Sequence, residues 1–422
     1  MSSIPIIIVA LPILAAILIG LKAPARTTAM LAAIINVMLA ALVCFNFDHV
    51  AAGDGFQFTS SLSILSQPEI SLAFGIDGKS LILLLLTVIV TLAALWTINE
   101  EVKSPRLHYV SALLISAGAL GAFLSTDVFF FYAFHELALI PTFLMIGMFG
   151  RGESPKKVAW TITIYLGLGS LVLLAGLIAL VYNTPEQSFD MTTLLASVVE
   201  SDAQKWIAAL LIVGFGTLVS LFPFHSWAAP AYASAPTPVS MLHAGVLKKF
   251  GLYGLIRLAV PLLPEGMSVW ADWLLILLLG NILFVGLVTV AQRRLDLMLG
   301  NSSVMHMGYI FLGIAVMIST GGNSDLAVSG ALLLMFAHGV SIALQFALAG
   351  KIEERTERLE FENLGGLAKH LPALSFLFAL GAFASIGLPG FANFAGELMI
   401  FLSAFAGIAA GPVPLSEVAN LQ

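Results

Sequence analysis

Long apolar runs, most of them long enough to cross a bilayer as a helix, recur along this chain of 422 residues. A helix needs about 20 apolar residues to span the hydrocarbon core of a membrane. The chain is 59% hydrophobic and 10% charged, whereas a soluble domain is about 25% charged. The sequence therefore predicts an all-α polytopic membrane protein that forms a single integral membrane domain. About twelve spans are expected, near residues 5–22, 28–46, 79–98, 109–126, 128–149, 157–182, 205–226, 237–263, 271–292, 298–320, 326–351 and 371–411.

The same composition excludes several other classes of protein. The single cysteine, Cys44, permits neither a disulfide framework nor an iron–sulfur cluster held by cysteines of this chain. A net charge of −6 is not the basic footprint of a nucleic-acid-binding protein. The first apolar run has no basic residue before it and no small-residue cleavage signal after it, so we expect a retained helix rather than a signal peptide.

Among the predicted connections, Lys and Arg occur in one set only. Because basic connections are usually cytoplasmic, we expect both termini to lie on the outer, periplasmic side of a bacterial inner membrane. The basic connections carry Lys22, Arg26, Lys103, Arg106, Arg151, Lys156, Lys157, Arg293, Arg294, Lys351, Arg355, Arg358 and Lys369. The alternate connections, near 47–77, 183–202, 264–270 and 321–325, contain acidic residues and no Lys or Arg.

Two segments interrupt the helical pattern with proline. The first surrounds Pro223 in GTLVSLFPFHSWAAPAYASAPTP, and the second surrounds Pro389 in ASIGLPGFANFAGE, about 165 residues later. Proline removes a helical hydrogen bond, and in lipid the freed carbonyls must be satisfied by neighbours or by water. Paired broken helices are typical of transporters built from inverted repeats, and they mark the transport site.

Ionisable residues lie near the middle of four apolar spans, namely Glu136, Lys249, His338 and Glu397. A charge at the bilayer centre costs roughly 2.5–3.5 kcal/mol on insertion scales, and such residues usually face a protein interior or a water-filled cavity. We therefore predict a proton relay. The alternatives are a helix–helix hydrogen bond for Glu136 and a structural ion pair between Glu136 and a lysine. Lys248 adjoins Lys249 but points about 100° away on a helix, so the two cannot share one role.

Histidines supply further titratable groups in the spans. His306 and His338 lie on consecutive spans, each followed within two residues by glycine. Their two ring nitrogens could pass a proton, or the two side chains could simply be packed in the core. His225 and His243 flank the first helix break, where they could line a hydrated gap or cap free carbonyls. We treat Lys248, His225 and His243 as supporting candidates.

Motifs for nucleotide, metal or redox chemistry are absent from the sequence. No GxGxxG follows a strand, and neither GxxxxGK[ST], HExxH nor CxxC occurs. We therefore expect no cofactor and no metal in this chain. If the chain works with an oxidoreductase, the electrons travel through another subunit.

Several segments, in this order, resemble the antiporter-like membrane subunits of respiratory complex I, most closely chain M (the chain-4 type) of NADH-quinone oxidoreductase. They cover most of residues 74–405 and are FGIDGKSLILLL, FFFYAFHELALIPTFLMIGMFG, PFHSWAAPAYASAPTPVSMLHAGVLKKFGLYGLIRL, SSVMHMGYIFLGI, MFAHGVSIALQFALAGKIEER and NLGGLAKHLPALSFLFALGAFASIGLPGFANFAGELMIF.

The resemblance implies a proton path along the membrane midplane. By resemblance, Glu136 is the acid of the fifth helix, Lys249 the central lysine of the eighth, and Glu397 the glutamate of the broken twelfth, with His306 and His338 between the half-channels. It also implies N-terminal helices over 1–107, a first antiporter-like repeat over 108–263, and an incomplete second repeat over 268–411.

Departures from the family pattern make this a divergent sequence. The family has a lysine on the broken seventh helix where this chain has Leu218, and WAAPAY (227–232) replaces a motif that carries an acid and a histidine. The chain stops soon after the twelfth span, with GPVPLSEVANLQ, so we expect it to be short at the C-terminus. Arg294-Leu295-Asp296 reverses the charges of the family's Asp-Leu-Lys, which could preserve a pair.

Our first hypothesis is a proton-translocating subunit of an NADH-quinone oxidoreductase, whose partners are other membrane-arm subunits, the lipid bilayer and protons, with no nucleic acid. A second is a subunit of a multi-subunit, Mrp-like cation/proton antiporter. A third is a structural paralogue that does not conduct. Related subunits also occur in hydrogenase and inorganic-carbon-uptake complexes.

Overall fold

A computed structural model describes residues 2–49 and 55–410 of the chain. The predicted outer-face acid Asp54, the predicted C-terminal end GPVPLSEVANLQ and the first and last residues lie outside the described residues. The helices are α1 (Ile4–Gly20), α2 (Ala25–Asn46), α3 (Gly78–Trp96), α4 (Pro105–Leu124), α5 (Val128–Phe149), α6 (Pro155–Tyr182), α7 (Met191–Leu195), α8 (Ser201–Val219), α9 (Ala228–Ser234), α10 (Thr237–Leu242), α11 (Lys249–Gly254), α12 (Val260–Leu262), α13 (Pro264–Leu279), α14 (Gly286–Val290), α15 (Leu295–Ser319), α16 (Asp325–Thr356), α17 (Leu367–His370), α18 (Pro372–Ser385) and α19 (Ala392–Ala410).

Long apolar helices dominate the described part of the chain. Nine of them are long and apolar enough to cross a membrane: α2 to α6, α8, the continuous segment 264–290 that contains α13 and α14, α15 and α16. Three further regions are apolar but shorter or interrupted: α1, the buried segment from α10 to α12, and α18 with α19. The predicted all-α, polytopic membrane class is confirmed, with nine candidate spans among the described residues, and the count of about twelve stays a prediction.

Three segments of π-helix interrupt these spans, at His243–Leu247, Leu255–Ala259 and Gly280–Val285. A π turn adds a residue to the helix and rotates everything after it relative to the α-helical pattern, and such turns are frequent at functional sites. The first of them lies against α16, because Gly245 and Gly339 meet backbone to backbone. A Cβ at Gly339 would lie 2.7 Å from the carbonyl oxygen of Gly245. Small residues permit this close approach of helices.

A β-hairpin on the predicted outer side was not expected from the sequence. Strands β1 (Gln57–Ser66) and β2 (Glu69–Ile76) pair antiparallel. The hairpin is fixed to the start of α5, since the Ser71 amide donates to Asp127 Oδ2 at 3.0 Å and the Thr126 amide donates to the Ala73 carbonyl at 3.0 Å. The hairpin lies in the stretch near 47–77, which was expected from the sequence only as a connection between spans.

Both predicted helix breaks are present. The first separates α8 from α9 around Pro223, and the second separates α18 from α19 around Pro389. At the second break Gly387 and Gly390 have φ values of +69° and +104°, a region that residues with a side chain rarely adopt. The sequence therefore located both breaks correctly, and the glycines explain how the chain turns at the second.

Candidate functional site

Lys248 and Lys249 lie in the core, next to the first π-helical segment, and are 1% and 0% exposed. The ammonium nitrogen of Lys249 turns back to its own helix and donates to the Ala244 carbonyl at 2.8 Å. The ammonium nitrogen of Lys248 points to α15, where it lies 3.5 Å from Ser303 Oγ, and it also lies over the ring of Tyr232, 5.4 Å from its centroid. The two lysines therefore face different surroundings, as their adjacency on a helix predicts.

A histidine pair continues from Ser303. The hydroxyl oxygen of Ser303 lies 3.1 Å from Nε2 of His338, on α16. The rings of His338 and His306 stack, with centroids 5.2 Å apart and planes at 25°. Ser303, which the sequence analysis did not single out, thus joins a predicted lysine to the predicted histidines. Serine in an apolar run gives little signal on its own, because its hydroxyl often bonds within its own helix.

His306 reaches the second helix break. Its Nδ1 lies 2.8 Å from the carbonyl oxygen of Ser302, and its Nε2 lies 2.9 Å from the carbonyl oxygen of Ser385, the last residue of α18. Carbonyl oxygens only accept hydrogen bonds, so both contacts are hydrogen bonds at once only when both ring nitrogens carry hydrogen. The histidine therefore caps the broken helix, a contact between α15 and α18 that the sequence could not reveal.

Glu397 lies on the other side of the same break. Its carboxylate points back at the turn, such that a Cβ at Gly387 would lie 2.5 Å from Oε2. Within residues 2–49 and 55–410 this carboxylate has no hydrogen bond or ion pair with another residue. The second break thus brings Glu397 and His306 to the same turn.

Glu136 on α5 is separate from this series. Its side chain is 35% exposed, in contrast to the 3% exposure of its neighbour His135, whose Nδ1 lies 3.3 Å away. It also accepts a hydrogen bond from Ser170 on α6. The alternative of an ion pair between Glu136 and a lysine is wrong, because among the described residues its ion-pair partner is His135.

His135 provides the physical contact between Glu136 and the lysine-bearing helix. Its ring stacks on Phe250, the residue after Lys249, with centroids 4.0 Å apart and planes at 18°. The stacking is apolar in character and supplies no hydrogen bond to a lysine. The link between Glu136 and the lysine-bearing helix is therefore one packed pair of rings, His135 on Phe250. It is not a direct polar contact between Glu136 and a lysine.

Of the two supporting histidines, His225 lies in the first break and His243 begins the first π-helical segment. His243 lies between Trp227 and Tyr232, with ring centroids 5.6 and 5.5 Å away, and both of its ring nitrogens lack a hydrogen-bond partner among the described residues. His225 stacks on Phe222 with centroids 5.3 Å apart, and its Nδ1 likewise has no such partner. Buried polar atoms are normally satisfied, so these nitrogens are available to a bound water or ion.

Asn281 and Trp227 satisfy the open backbone of the first break. Asn281 Nδ2 donates to the carbonyls of Ser220 and Val304, both at 3.0 Å, and its Oδ1 accepts from the Phe222 amide at 2.7 Å. Trp227 Nε1 donates to the Thr217 carbonyl at 3.1 Å. The requirement that neighbours satisfy the freed groups was predicted, but Asn281 was missed, because nothing in a lone asparagine indicates its distant partners.

A buried ion pair at the start of α3 was also missed. The guanidinium of Arg257 binds the carboxylate of Asp77 through two hydrogen bonds of 2.6 Å and also donates to the Tyr253 hydroxyl. Asp77 is the N-cap of α3, just outside the membrane span, and accepts from the Ser80 amide. Burial opposes the charge of Asp77, yet Arg257 and these hydrogen bonds hold the pKa of its carboxyl below its ordinary value. Two features of the sequence could have indicated this pair: the Asp-Gly-x-Ser capping pattern that begins at Asp77, and the presence of Arg257 inside an apolar run.

Known proteins share both sequence and fold with this chain. A family described as NADH:quinone oxidoreductase/Mrp antiporter, transmembrane region, matches residues 125–410. The chain belongs to this family. It is 35% identical to NAD(P)H-quinone oxidoreductase chain 4 3 of Picosynechococcus sp. over 402 residues, which are 94% of this chain and 72% of the relative. It is 36% identical to chain 4-3 of Nostoc sp., with 86% of this chain and 64% of the relative covered.

Solved structures of the family share the fold. A chain of respiratory complex I from Thermus thermophilus superimposes with a TM-score of 0.88 at 28% identity, covering 99% of this chain and 85% of that one. A chain of the Mrp complex from Dietzia sp. gives 0.81 at 21% identity, covering 99% and 76%. The predicted resemblance to antiporter-like subunits of complex I is thus confirmed.

Two departures from the family pattern can be located in the structure. Leu218, at the position of the family's seventh-helix lysine, is 4% exposed and packs in the hydrophobic core. The reversed charges at Arg294 and Asp296 form an ion pair of 2.7 Å, so the predicted pair is preserved. The expectation that the chain carries no cofactor or metal stays a prediction.

Proposed function

We propose that this chain is a proton-translocating membrane subunit of a complex-I-type NAD(P)H-quinone oxidoreductase, in which quinone reduction elsewhere drives proton transfer through this chain. The observation that carries the proposal is the identity of 35% over 94% of the chain to a relative named NAD(P)H-quinone oxidoreductase chain 4 3. The chain spans 72% of that relative and 64% of the next. The activity of the whole assembly is therefore part of the proposal.

The proton route in this proposal uses the predicted residues. Glu136 receives the signal or the proton at one end, the lysine pair Lys248–Lys249 lies at the centre, and His338, His306 and Glu397 continue to the second break. The proposal is supported by the burial of the lysines and histidines, and by the contacts that connect Lys248 to Ser303, Ser303 to His338, and His306 to the Ser385 carbonyl. Intramembrane ionisable groups of this kind usually mark ion pathways.

The surroundings of the chain follow from the same proposal. Its partners are other membrane-arm subunits, since the superimposed chains come from multi-subunit complexes. We place it in the inner membrane of a bacterium, with both termini on the periplasmic side and the basic connections in the cytoplasm. We also assign residues 108–263 and 268–411 to two inverted repeats, each containing one of the two breaks, after N-terminal helices over 1–107.

The alternative functions differ in what drives the protons. An Mrp-like antiporter subunit would exchange sodium for protons without any electron donor. A non-conducting paralogue would need its charged residues for assembly alone. Leu218 occupies the position where the family has a seventh-helix lysine, so the usual partner of Glu136 is absent. This favours proton conduction that is weaker than in the family or that follows another route.

Proton uptake by the reconstituted complex tests the proposal. The complex is isolated by a tag on this chain and placed in vesicles, and NADH or NADPH with a short-chain quinone starts the reaction. We expect Glu136→Gln to lower the number of protons taken up per quinone reduced, because the amide keeps the shape but carries no titratable proton. Glu153→Gln, in an exposed connection, is the matched control and should behave like the unaltered complex.

Each alternative has its own outcome in this assay. Sodium-driven proton flux without an electron donor would replace the proposal by the antiporter. An unaltered ratio in Glu136→Gln, combined with a reduced yield of complex, would replace it by the structural paralogue.

A further inference from the structure

The contacts that leave the lysine-bearing helix begin at Lys248, although the family pattern singles out Lys249. Lys248 Nζ lies 3.5 Å from Ser303 Oγ, whereas Lys249 Nζ is bound to a carbonyl of its own helix at 2.8 Å. We propose that Lys248 is the proton-carrying lysine of this chain and that the Ser303 hydroxyl passes its proton to His338. This inference rests on the proposed function and specifies its central transfer.

The geometry suits a transfer through the serine. A hydroxyl both donates and accepts hydrogen bonds, and Ser303 Oγ lies between the ammonium nitrogen of Lys248 and Nε2 of His338, which is 3.1 Å away. The Lys248 ammonium gives a proton to Ser303 Oγ while the hydroxyl proton of Ser303 moves to His338 Nε2. The products are a neutral amine, an intact hydroxyl and an imidazolium, so protons and charge balance.

His338 is free to take part in this step. Accepting a proton at Nε2 requires that the ring hydrogen of the neutral histidine sits on Nδ1. Nδ1 of His338 has no hydrogen-bond partner among the described residues, and so no neighbouring donor forces the opposite tautomer. The stacked ring of His306, 5.2 Å away between centroids, then connects His338 with the second break.

The π turn explains why Lys248, rather than Lys249, faces Ser303. Within His243–Leu247 the backbone is wound as a π-helix, and the Lys248 amide donates to the carbonyl of His243, five residues earlier, at 3.1 Å. The additional residue in this turn changes the directions of the side chains that follow it. The contact of Gly245 with Gly339 holds the same turn against α16, which carries His338.

The surroundings of Lys248 hold a cation without fixing it in place. No carboxylate of residues 2–49 or 55–410 lies within ion-pair distance of Lys248. The ring of Tyr232, whose centroid is 5.4 Å from the ammonium nitrogen, instead supplies a cation–π contact. An aromatic face attracts the ammonium but accepts no proton from it, which leaves Ser303 as the hydrogen-bond partner toward the histidines.

The test compares variants in the reconstituted complex described above, with protons per quinone and the rate of quinone reduction both measured. We expect Lys248→Met and Ser303→Ala to lower the ratio. Lys248→Arg should lower it as well, because guanidinium keeps the positive charge but does not release its proton. Ser303→Thr retains a hydroxyl, so its number of protons per quinone should match that of the unaltered complex. Lys249→Met should leave a higher ratio than Lys248→Met.

The controls separate a relay from a packing role. Ser403→Ala removes another buried hydroxyl, one that bonds only to the Ile400 carbonyl of its own helix, and should leave the ratio unaltered. A normal ratio in Lys248→Met with a low ratio in Lys249→Met would overturn the assignment. The assignment would also be overturned if Lys248→Met slowed quinone reduction but left the number of protons per quinone unaltered, or if Lys248→Arg kept full function. If the unaltered complex takes up no protons during quinone reduction, the proposed function itself fails.

Discussion

A buried charge in this molecule is tolerated because of its particular neighbours, and Arg257 is the clearest example. Its guanidinium is 4% exposed and is engaged by both carboxylate oxygens of Asp77 and by the Tyr253 hydroxyl. Two parallel hydrogen bonds make the guanidinium–carboxylate pair directional as well as strong. The pair joins the N-cap of α3 to the second π-helical segment, and so it fixes the helix that carries the lysines relative to α3.

Breaking this pair should be costly. We expect Arg257→Met to destabilise the chain by about 3–5 kcal/mol, because the carboxylate of Asp77 stays buried without its partner. Lys351→Met, which breaks the exposed Lys351–Glu354 pair, should cost less than about 1 kcal/mol. Thermal unfolding of the purified protein in detergent measures both. Equal shifts would contradict this explanation.

The pH dependence of the same pair has a defined sign. The pKa of Asp77 is lowered in the folded chain, so the stabilisation is present at pH values above the ordinary pKa of aspartate. It should be lost as the pH falls through the lower, folded-state value. Acid titration of thermal stability, with Asp77→Asn as the comparison, measures this: the difference between the two proteins should vanish at low pH.

Broken helices need groups from other helices to satisfy their free backbone. At the first break Asn281 does this for Ser220 and Phe222, and at the second His306 does it for Ser385. The two breaks differ in one respect, since the cap of the second is a titratable ring. A change in its protonation alters how many of its two carbonyl contacts remain hydrogen bonds, which couples the histidine chemically to the end of α18.

Removal of the Asn281 amide tests the role of this cap. We expect Asn281→Leu to destabilise the first break, because each buried backbone group left without a partner costs about 1–3 kcal/mol. Asn301→Ala, which removes an amide bound only to its own helix at Leu297, is the matched control and should have a smaller effect. The readout is the rate of proteolysis near the break together with thermal unfolding. Indistinguishable variants would show that Asn281 is dispensable.

The distribution of charge predicts how the whole molecule is oriented in the membrane. Basic residues occur in five of the predicted connections, all of which fall on one side, and the connections of the other side lack them. If the positive-inside rule holds for this chain, we expect the hairpin of β1 and β2 on the periplasmic side. We then expect the Arg151–Glu353 ion pair, which joins the α5–α6 connection to α16, on the cytoplasmic side.

Cysteine labelling tests this orientation, since the chain has one native cysteine. In a Cys44→Ser background, Glu186→Cys and Asn323→Cys should react with a membrane-impermeant maleimide on intact cells. Glu153→Cys and Arg355→Cys should react only after permeabilisation. All four sites are exposed on the isolated chain. The opposite pattern would invert the topology.

The sequence alone determined the membrane fold, the approximate spans, the two breaks and the identity of the buried ionisable residues. It could do so because these properties depend on local patterns: the length of an apolar run, the presence of a proline, and a charge inside an apolar segment. It also carried the family resemblance, which the comparisons confirmed. The hairpin escaped it, since short strands of serine, leucine and phenylalanine outside the spans give only a weak alternating pattern.

Tertiary structure decided which side chains meet. That Lys248 rather than Lys249 faces Ser303, that His306 caps Ser385, and that Arg257 finds Asp77 all depend on the direction of a side chain around its helix and on the neighbour that packs there. The π turns change the direction in which the following side chains point. Close contacts between helices, such as that of Gly245 with Gly339, decide which residue packs against them. Both arise from packing between segments far apart in the chain, which no local pattern encodes.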